Sequence, residues 1–188
     1  MRLPRCQRLL NQRRGHTSRH AHGRTTSTFF RIGHDGKYQP SRNHGQCKQY
    51  ISCFRSDNDQ YSHINNSVYY HLFDSVINAY LAAHCDVSPQ TSNDIGLVVS
   101  SHAHFFSPLS FPDILDLGLR INHIGKSSVT YEVGVFREGC VEPAVVGGYT
   151  HVFVDAVSRK TSQIRDRTRE GMQRLYVEPS NRKSVSKL

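Results

Sequence analysis

The chain has 188 residues, of which 37% are hydrophobic and 21% charged, and a formal net charge of +9 at pH 7. This length accommodates one core-forming domain plus a tail, and no apolar run approaches the roughly 18 residues of a membrane span, so a soluble protein with no membrane partner is predicted. Residues 1–56 hold 12 Lys/Arg and one acid, Asp35, for +11, whereas residues 57–188 hold 12 Lys/Arg and 14 acids, for −2; a basic tail on a near-neutral body argues against a nucleic-acid-binding face.

Residues 1–45 lack hydrophobic periodicity and are rich in Arg, His, Ser, Thr and Gly. Arg2, Arg5, Arg8, Arg13 and Arg14 are interspersed with Leu3, Leu9 and Leu10, the pattern of an organelle transit peptide, here for the mitochondrial matrix. A disordered basic extension on a cytoplasmic protein is the other reading. Cys6, Cys47, Cys53, Cys85 and Cys140 form no C-x-x-C pair and are read as reduced thiols, with no zinc or disulfide framework.

The folded domain is expected over residues 46–176, with 177–188 a flexible tail. Residues 47–55 alternate around Tyr50, Ser52 and Phe54 as a strand does, and the Asp/Asn cluster at 57–59 ends the run. Asn65 or Asn66 is a helix N-cap. Beyond it Tyr69, Leu72, Phe73, Val76, Ile77 and Tyr80 recur at three- and four-residue spacing, while Val68, Ala79, Leu81 and Ala82 fill most of the remainder. A helix apolar on nearly every side is predicted to be buried, ending before Pro89. The period then changes to two in runs at 97–106, 115–122, 129–135 and 144–154, joined by turns at Pro108/Pro112, Gly125–Ser127 and 137–139. Such short connections make the strands antiparallel neighbours. The prediction is α+β, with about five strands wrapped around one long helix, followed by a polar, Arg-rich helix or tail at 161–176.

The run Asp57, Asp59, His63, Ile64, Asn65, Asn66, Tyr69 resembles the D-x-D-x-x-x-H-[VI]-N-N-x-x-Y signature of the 4-hydroxybenzoyl-CoA thioesterase family. The likeness continues through residues 69–80, 105–113, 118–120, 124–129 and 151–155, in order, and covers about 48 to 175. It implies the hot-dog fold and acyl-CoA hydrolysis without a metal or cofactor, in a homodimer or homotetramer that binds substrate across the subunit interface. Many members carry Gly where this chain has Ser62, a position at which a side chain restricts positive φ.

The family's catalytic carboxylate falls on Asp59, which the resemblance makes a nucleophile or the base for a water. A carboxylate needs no deprotonation at neutral pH. Free N–H groups at a helix start attract developing negative charge, and the resemblance assigns the Asn66 N–H to the oxyanion. His63 is a candidate to orient the loop, donate to the carbonyl or shuttle a proton to the thiolate. Asn65, Tyr69, Asp74, Lys126 and Ser127 are candidate substrate contacts, the last two toward the phosphates or pantetheine arm. Each has a structural alternative: an Asx turn for Asp59 and Asp57, loop packing for His63, capping for Asn65, a tyrosine or partner-subunit contact for Asp74, and solvation for Lys126. His102 and His104 share a strand face, but no third ligand lies at metal spacing. A non-catalytic acyl-CoA-binding module remains an alternative, as does an acyl-thioester dehydratase or hydratase, whose motifs are absent.

Overall fold

Asn65 sets where the principal helix begins. Its backbone (φ −58°, ψ 137°) turns the chain into helix α1, Asn66–His84. Its side-chain oxygen accepts the Ser67 N–H at 3.0 Å and the Ser67 hydroxyl at 2.9 Å, satisfying one of the donors a helix start leaves open. The structure is a computed structural model that describes residues 30–31, 49–88 and 90–178.

Around α1 curls an antiparallel sheet of β1 (Phe30–Arg31), β2 (Gln49–Ser52), β3 (Asp94–Phe105), β4 (Ile114–Ile124), β5 (Ser128–Arg137) and β6 (Val145–Asp155). The order is β1-β4-β5-β6-β3, and β2 also pairs with β4. This is the sheet wrapped around a helix that the alternation predicts, and the hot-dog fold that the family resemblance implies. A short second helix, α2 (Asp166–Gln173), docks on the end of α1. There the Tyr80 hydroxyl donates to the Gly171 carbonyl at 2.6 Å, and Thr168 Oγ1 donates to the Cys85 carbonyl at 2.9 Å. The principal helix packs directly on β6 backbone: a Cβ at Gly147 would come within 2.6 Å of the Phe73 ring.

Three expectations change. First, α1 is buried on one face only. Tyr69, Leu72, Phe73, Val76, Ile77, Tyr80 and Leu81 are buried, while His71, Asp74, Ser75, Ala79 and Ala82 are exposed, because a single curled sheet covers one side of a cylinder. Second, the sheet gains a sixth, two-residue strand: Phe30 lies opposite Leu119 and Arg31 opposite Gly118, inside the stretch read as an extension. β2 pairs with 114–117, β1 with 118–119, and the Leu175 and Val177 backbones bond Ile121, so three separate segments tile the outer edge of β4. Val177, placed in the tail by the sequence reading, is thus part of this edge; the rest of the extension and of the tail lies outside the described residues. Third, Cys140 is disulfide-bonded, whereas Cys53 and Cys85 are buried free thiols. The opposite edge, β3, has no strand partner among the described residues beyond β6.

Candidate active site

Asp59 opens the turn of a small hairpin that feeds α1. Asn58 and Ile64 form an antiparallel bridge, the Asp59 N–H donates to the His63 carbonyl at 2.7 Å, and the Ser62 N–H donates to the Asp59 carbonyl at 3.1 Å. Ser62 has φ +64°, the left-handed conformation that closes such a turn. The position is therefore one that glycine suits, and this chain holds it with serine at a cost of about 1 kcal/mol.

The Asp59 side chain is half-buried, and its Oδ1 accepts the Tyr61 N–H at 2.8 Å and the His63 N–H at 3.2 Å. The Asx turn is thus real, and it fixes the carboxylate while Oδ2 has no hydrogen-bond partner among the described residues. Asp57 is occupied differently. Its Oδ2 accepts the Phe54 N–H at 2.8 Å and closes the turn at Arg55–Asp57. Neighbouring elements hold the hairpin in place. The Phe111 N–H donates to Asn58 Oδ1 at 3.1 Å, the Ile64 N–H to the Leu109 carbonyl at 2.8 Å, and the Asn65 N–H to the Asp57 carbonyl at 2.8 Å.

These bonds deliver the chain to α1 with its first N–H, that of Asn66, carrying no partner among the described residues. Asn65 is occupied as the cap. His63 is exposed, and only its backbone engages the hairpin. Tyr69, one turn into α1, is 3% exposed, and its ring meets Phe105 edge-on with centroids 5.4 Å apart. Burial first, then the Cys53 thiol and Asp113, push its phenol up to about 12, so it stays protonated and its ring belongs to the core. Phe54, Tyr61, Phe106 and Phe111 are exposed around the hairpin.

Asp74 is exposed on α1, so its place in an apolar helix brings no desolvation penalty in one protomer. Lys126 and Ser127 are brought nowhere near Asp59. They form the turn between β4 and β5, whose backbone bonds Ile164 and Phe153, while the hairpin lies where β4 starts. The length of β4 separates the two, about 30 Å. A cavity with room for about one water lies between β3 and α2, lined by Asp94, Phe153, Ile164 and Arg165, and is likewise distant from Asp59. The His102 and His104 rings lie tilted to one another on β3, centroids 5.8 Å apart, and no group of three or more potential metal ligands occurs among the described residues. No described helix is long and apolar enough to cross a membrane.

One group escaped the sequence reading. His151 on β6 is 2% exposed, with both ring nitrogens unpartnered among the described residues, and burial lowers its pKa to about 4 against an opposing pull from Asp74. Alternation does not mark it, because the sequence reading puts Val146, Thr150 and Val152 on the common face, whereas β6 buries Val145, Gly147, Tyr149, His151 and Phe153.

The profile of the thioesterase superfamily matches residues 61–144. The solved PA5185 protein of Pseudomonas aeruginosa is 40% identical, with a TM-score of 0.66 over 69% of this chain and 90% of that one. Similar folds at low identity include SAV2348 of Staphylococcus aureus, solved in complex with CoA (14% identity, TM-score 0.62, 67% of this chain and 80% of that one). Another is Slr0204 of Synechocystis, a 1,4-dihydroxy-2-naphthoyl-CoA thioesterase (13% identity, TM-score 0.61, 67% of this chain and 94% of that one). A search of curated proteins gives no match. The hairpin, the capped helix and the sheet that curls around it, together with the 40% identity over most of the Pseudomonas chain, establish that this chain belongs to the thioesterase superfamily of hot-dog proteins.

Proposed function

We propose that the chain hydrolyses acyl-CoA thioesters at the mouth of α1, with Asp59 attacking the carbonyl or activating the water that does. The observation that carries this reading is the pairing of a pinned carboxylate, free at Oδ2, with an unoccupied Asn66 N–H at the start of a 19-residue helix. The main-chain donor receives the oxygen as it becomes an oxyanion, the C–S bond breaks, and CoA leaves as the thiol with a proton whose delivery this reading assigns to His63. Each of these roles falls to a group of the chain itself, and the proposal calls on no metal or cofactor.

Two copies are part of the proposal. β3 is a 12-residue edge strand exposing Leu97, Val98, Val99 and Phe105, a surface that a second copy would cover by strand pairing. A two-fold pairing of β3 with itself sets the Asp94 end of one copy beside the Phe105 end of the other. That places the partner's Lys126–Ser127 end of the sheet on the side of Asp59, where the CoA phosphates need a cation. The N-terminal extension supports a mitochondrial address, and N-terminal sequencing of the cellular protein tests it.

The decisive assay is thiol release from a panel of acyl-CoAs by the wild type and by Asp59→Ala. Turnover abolished in Asp59→Ala is expected. Equal turnover by both proteins discards the site, and tight binding without release turns the protein into an acyl-CoA-binding module.

A further inference from the structure

The loop between β3 and β4 supports the Asp59 hairpin, and one side chain from elsewhere in the sheet closes that loop. Arg137 is the last residue of β5 and lies opposite Leu115, near the start of β4. Its Nη2 donates to the Pro108 carbonyl at 3.1 Å and pairs with Asp113 Oδ2 at 3.0 Å. The same carboxylate oxygen accepts the Ser110 N–H at 3.1 Å, and the Asp113 N–H donates to the Ser110 carbonyl at 2.7 Å. One guanidinium thus ties together both ends of residues 108–113.

Between those ends lie the two groups that reach the hairpin. The Leu109 carbonyl accepts the Ile64 N–H at 2.8 Å, and the Phe111 N–H donates to Asn58 Oδ1 at 3.1 Å. Asn58 Nδ2 donates in turn to the Ser62 carbonyl at 3.4 Å, across the turn that Ser62 closes with φ +64°. Polar contacts therefore run from Arg137 through the loop to both sides of the Asn58–Ile64 bridge, which frames Asp59. No hydrogen bond or ion pair joins Arg137 to Asp59 itself among the described residues.

Stability is not what this ion pair chiefly supplies. The Arg137 and Asp113 side chains are 30% and 21% exposed, and pairs that water reaches add little to folding. Placement is far more sensitive, since a shift of about 1 Å in a reacting group costs on the order of 10²-fold in rate. Resting on the reading of Asp59 as the thioester carboxylate, we propose that Arg137 is a positioning residue: through the 108–113 loop and Asn58 it fixes the hairpin that presents Asp59 at the mouth of α1. Arg137 and Asn58 then serve one linkage, and the losses on removing them do not add. A cation that served the CoA phosphates instead would cost only those substrates that carry them.

The test compares the wild type, Arg137→Met, Asn58→Ala and the double variant. The substrates are octanoyl-CoA and benzoyl-CoA, together with the matching N-acetylcysteamine thioesters, which lack the phosphates. In each single variant kcat is expected to fall by about 10- to 100-fold on both kinds of thioester, with KM within about threefold of wild type. The double variant should stay within about threefold of the slower single one. Amide exchange reads the hairpin without turnover: Arg137→Met should quicken exchange at Ile64 by about tenfold, while Val133, inside β5, keeps its protection. Asn58→Ala cuts only the Phe111 and Ser62 bonds, so it carries the test if Arg137→Met does not fold. Unchanged kcat in a folded variant overturns the proposal and leaves the hydrolase reading in place. So does a KM raised for the CoA thioesters alone with Ile64 exchange unchanged, which makes Arg137 a phosphate contact. A wild type that releases no thiol, but whose Ile64 amide responds to Arg137→Met, upholds the clamp on the hairpin and discards the hydrolysis. Neither release nor response discards both.

Discussion

Asn66→Pro isolates the proposed oxyanion donor. Side-chain substitution at this position leaves the main-chain N–H intact, so only proline removes it. The local geometry permits the change. Asn66 is the first helical residue, where proline is favoured because its missing N–H has no intrahelical partner to lose, and here that N–H carries none among the described residues. The preceding residue, Asn65, has ψ 137°, the extended conformation a pre-proline residue prefers. Folding stability is therefore expected to move by less than about 1 kcal/mol. Loss of one oxyanion donor costs about 3–4 kcal/mol, so kcat should fall by about 10²–10³ with KM changed far less. Thiol release under saturating acyl-CoA, alongside urea unfolding of the same preparation, separates the two effects, and Asn66→Ala reports the side chain alone. A folded Asn66→Pro protein whose kcat stays within about threefold of wild type would refute the assignment of this donor.

Acid should weaken the fold through His151. Its folded pKa, about 4, lies below the 6.5 of an exposed histidine because burial disfavours the charged ring, so the unfolded chain takes up the proton first. The stability is complete above 6.5 and is lost as pH falls from there toward 4, up to about 3 kcal/mol. Urea midpoints across that range should drop less steeply for His151→Phe, and an identical slope refutes the argument. Asn65→Ala removes the cap on Ser67 and should cost about 1 kcal/mol, read as a Tm lower by roughly 3 °C. A chain starting at Lys48 lacks β1, so hydrogen exchange at the Leu119 amide should quicken by about tenfold or more while Leu117, opposite Gln49, keeps its protection. Unchanged exchange at Leu119 would show that Phe30–Arg31 adds nothing to the edge of β4.

Local chemistry made much of the fold legible. The change from a spacing of three and four to alternation after His84 marks where helix gives way to sheet, and four alternating runs with short turns between them leave antiparallel pairing as the economical outcome. Asn65 could be read as a cap because a short polar side chain there satisfies a donor two residues on. Ser62 was legible as a departure, and the left-handed backbone it adopts shows why glycine suits that position. By contrast, the exposed side of α1 was misread, since hydrophobicity records that a face will be covered but not by what. A sheet covers one side of a helix and leaves the other exposed.

The sequence by itself determined the types of the principal elements, the start of α1 and the carboxylate loop that precedes it, because capping, periodicity and turn chemistry act between residues close together in the chain. Tertiary structure alone decided which groups share a place. It set Lys126 and Ser127 a strand length from Asp59, folded Phe30–Arg31 and Val177 onto one edge of β4, and brought Tyr131, Tyr149 and His151 together from two strands. Register and sheet curvature fix those distances, and both arise from pairings between residues far apart in the chain, on which no local pattern bears.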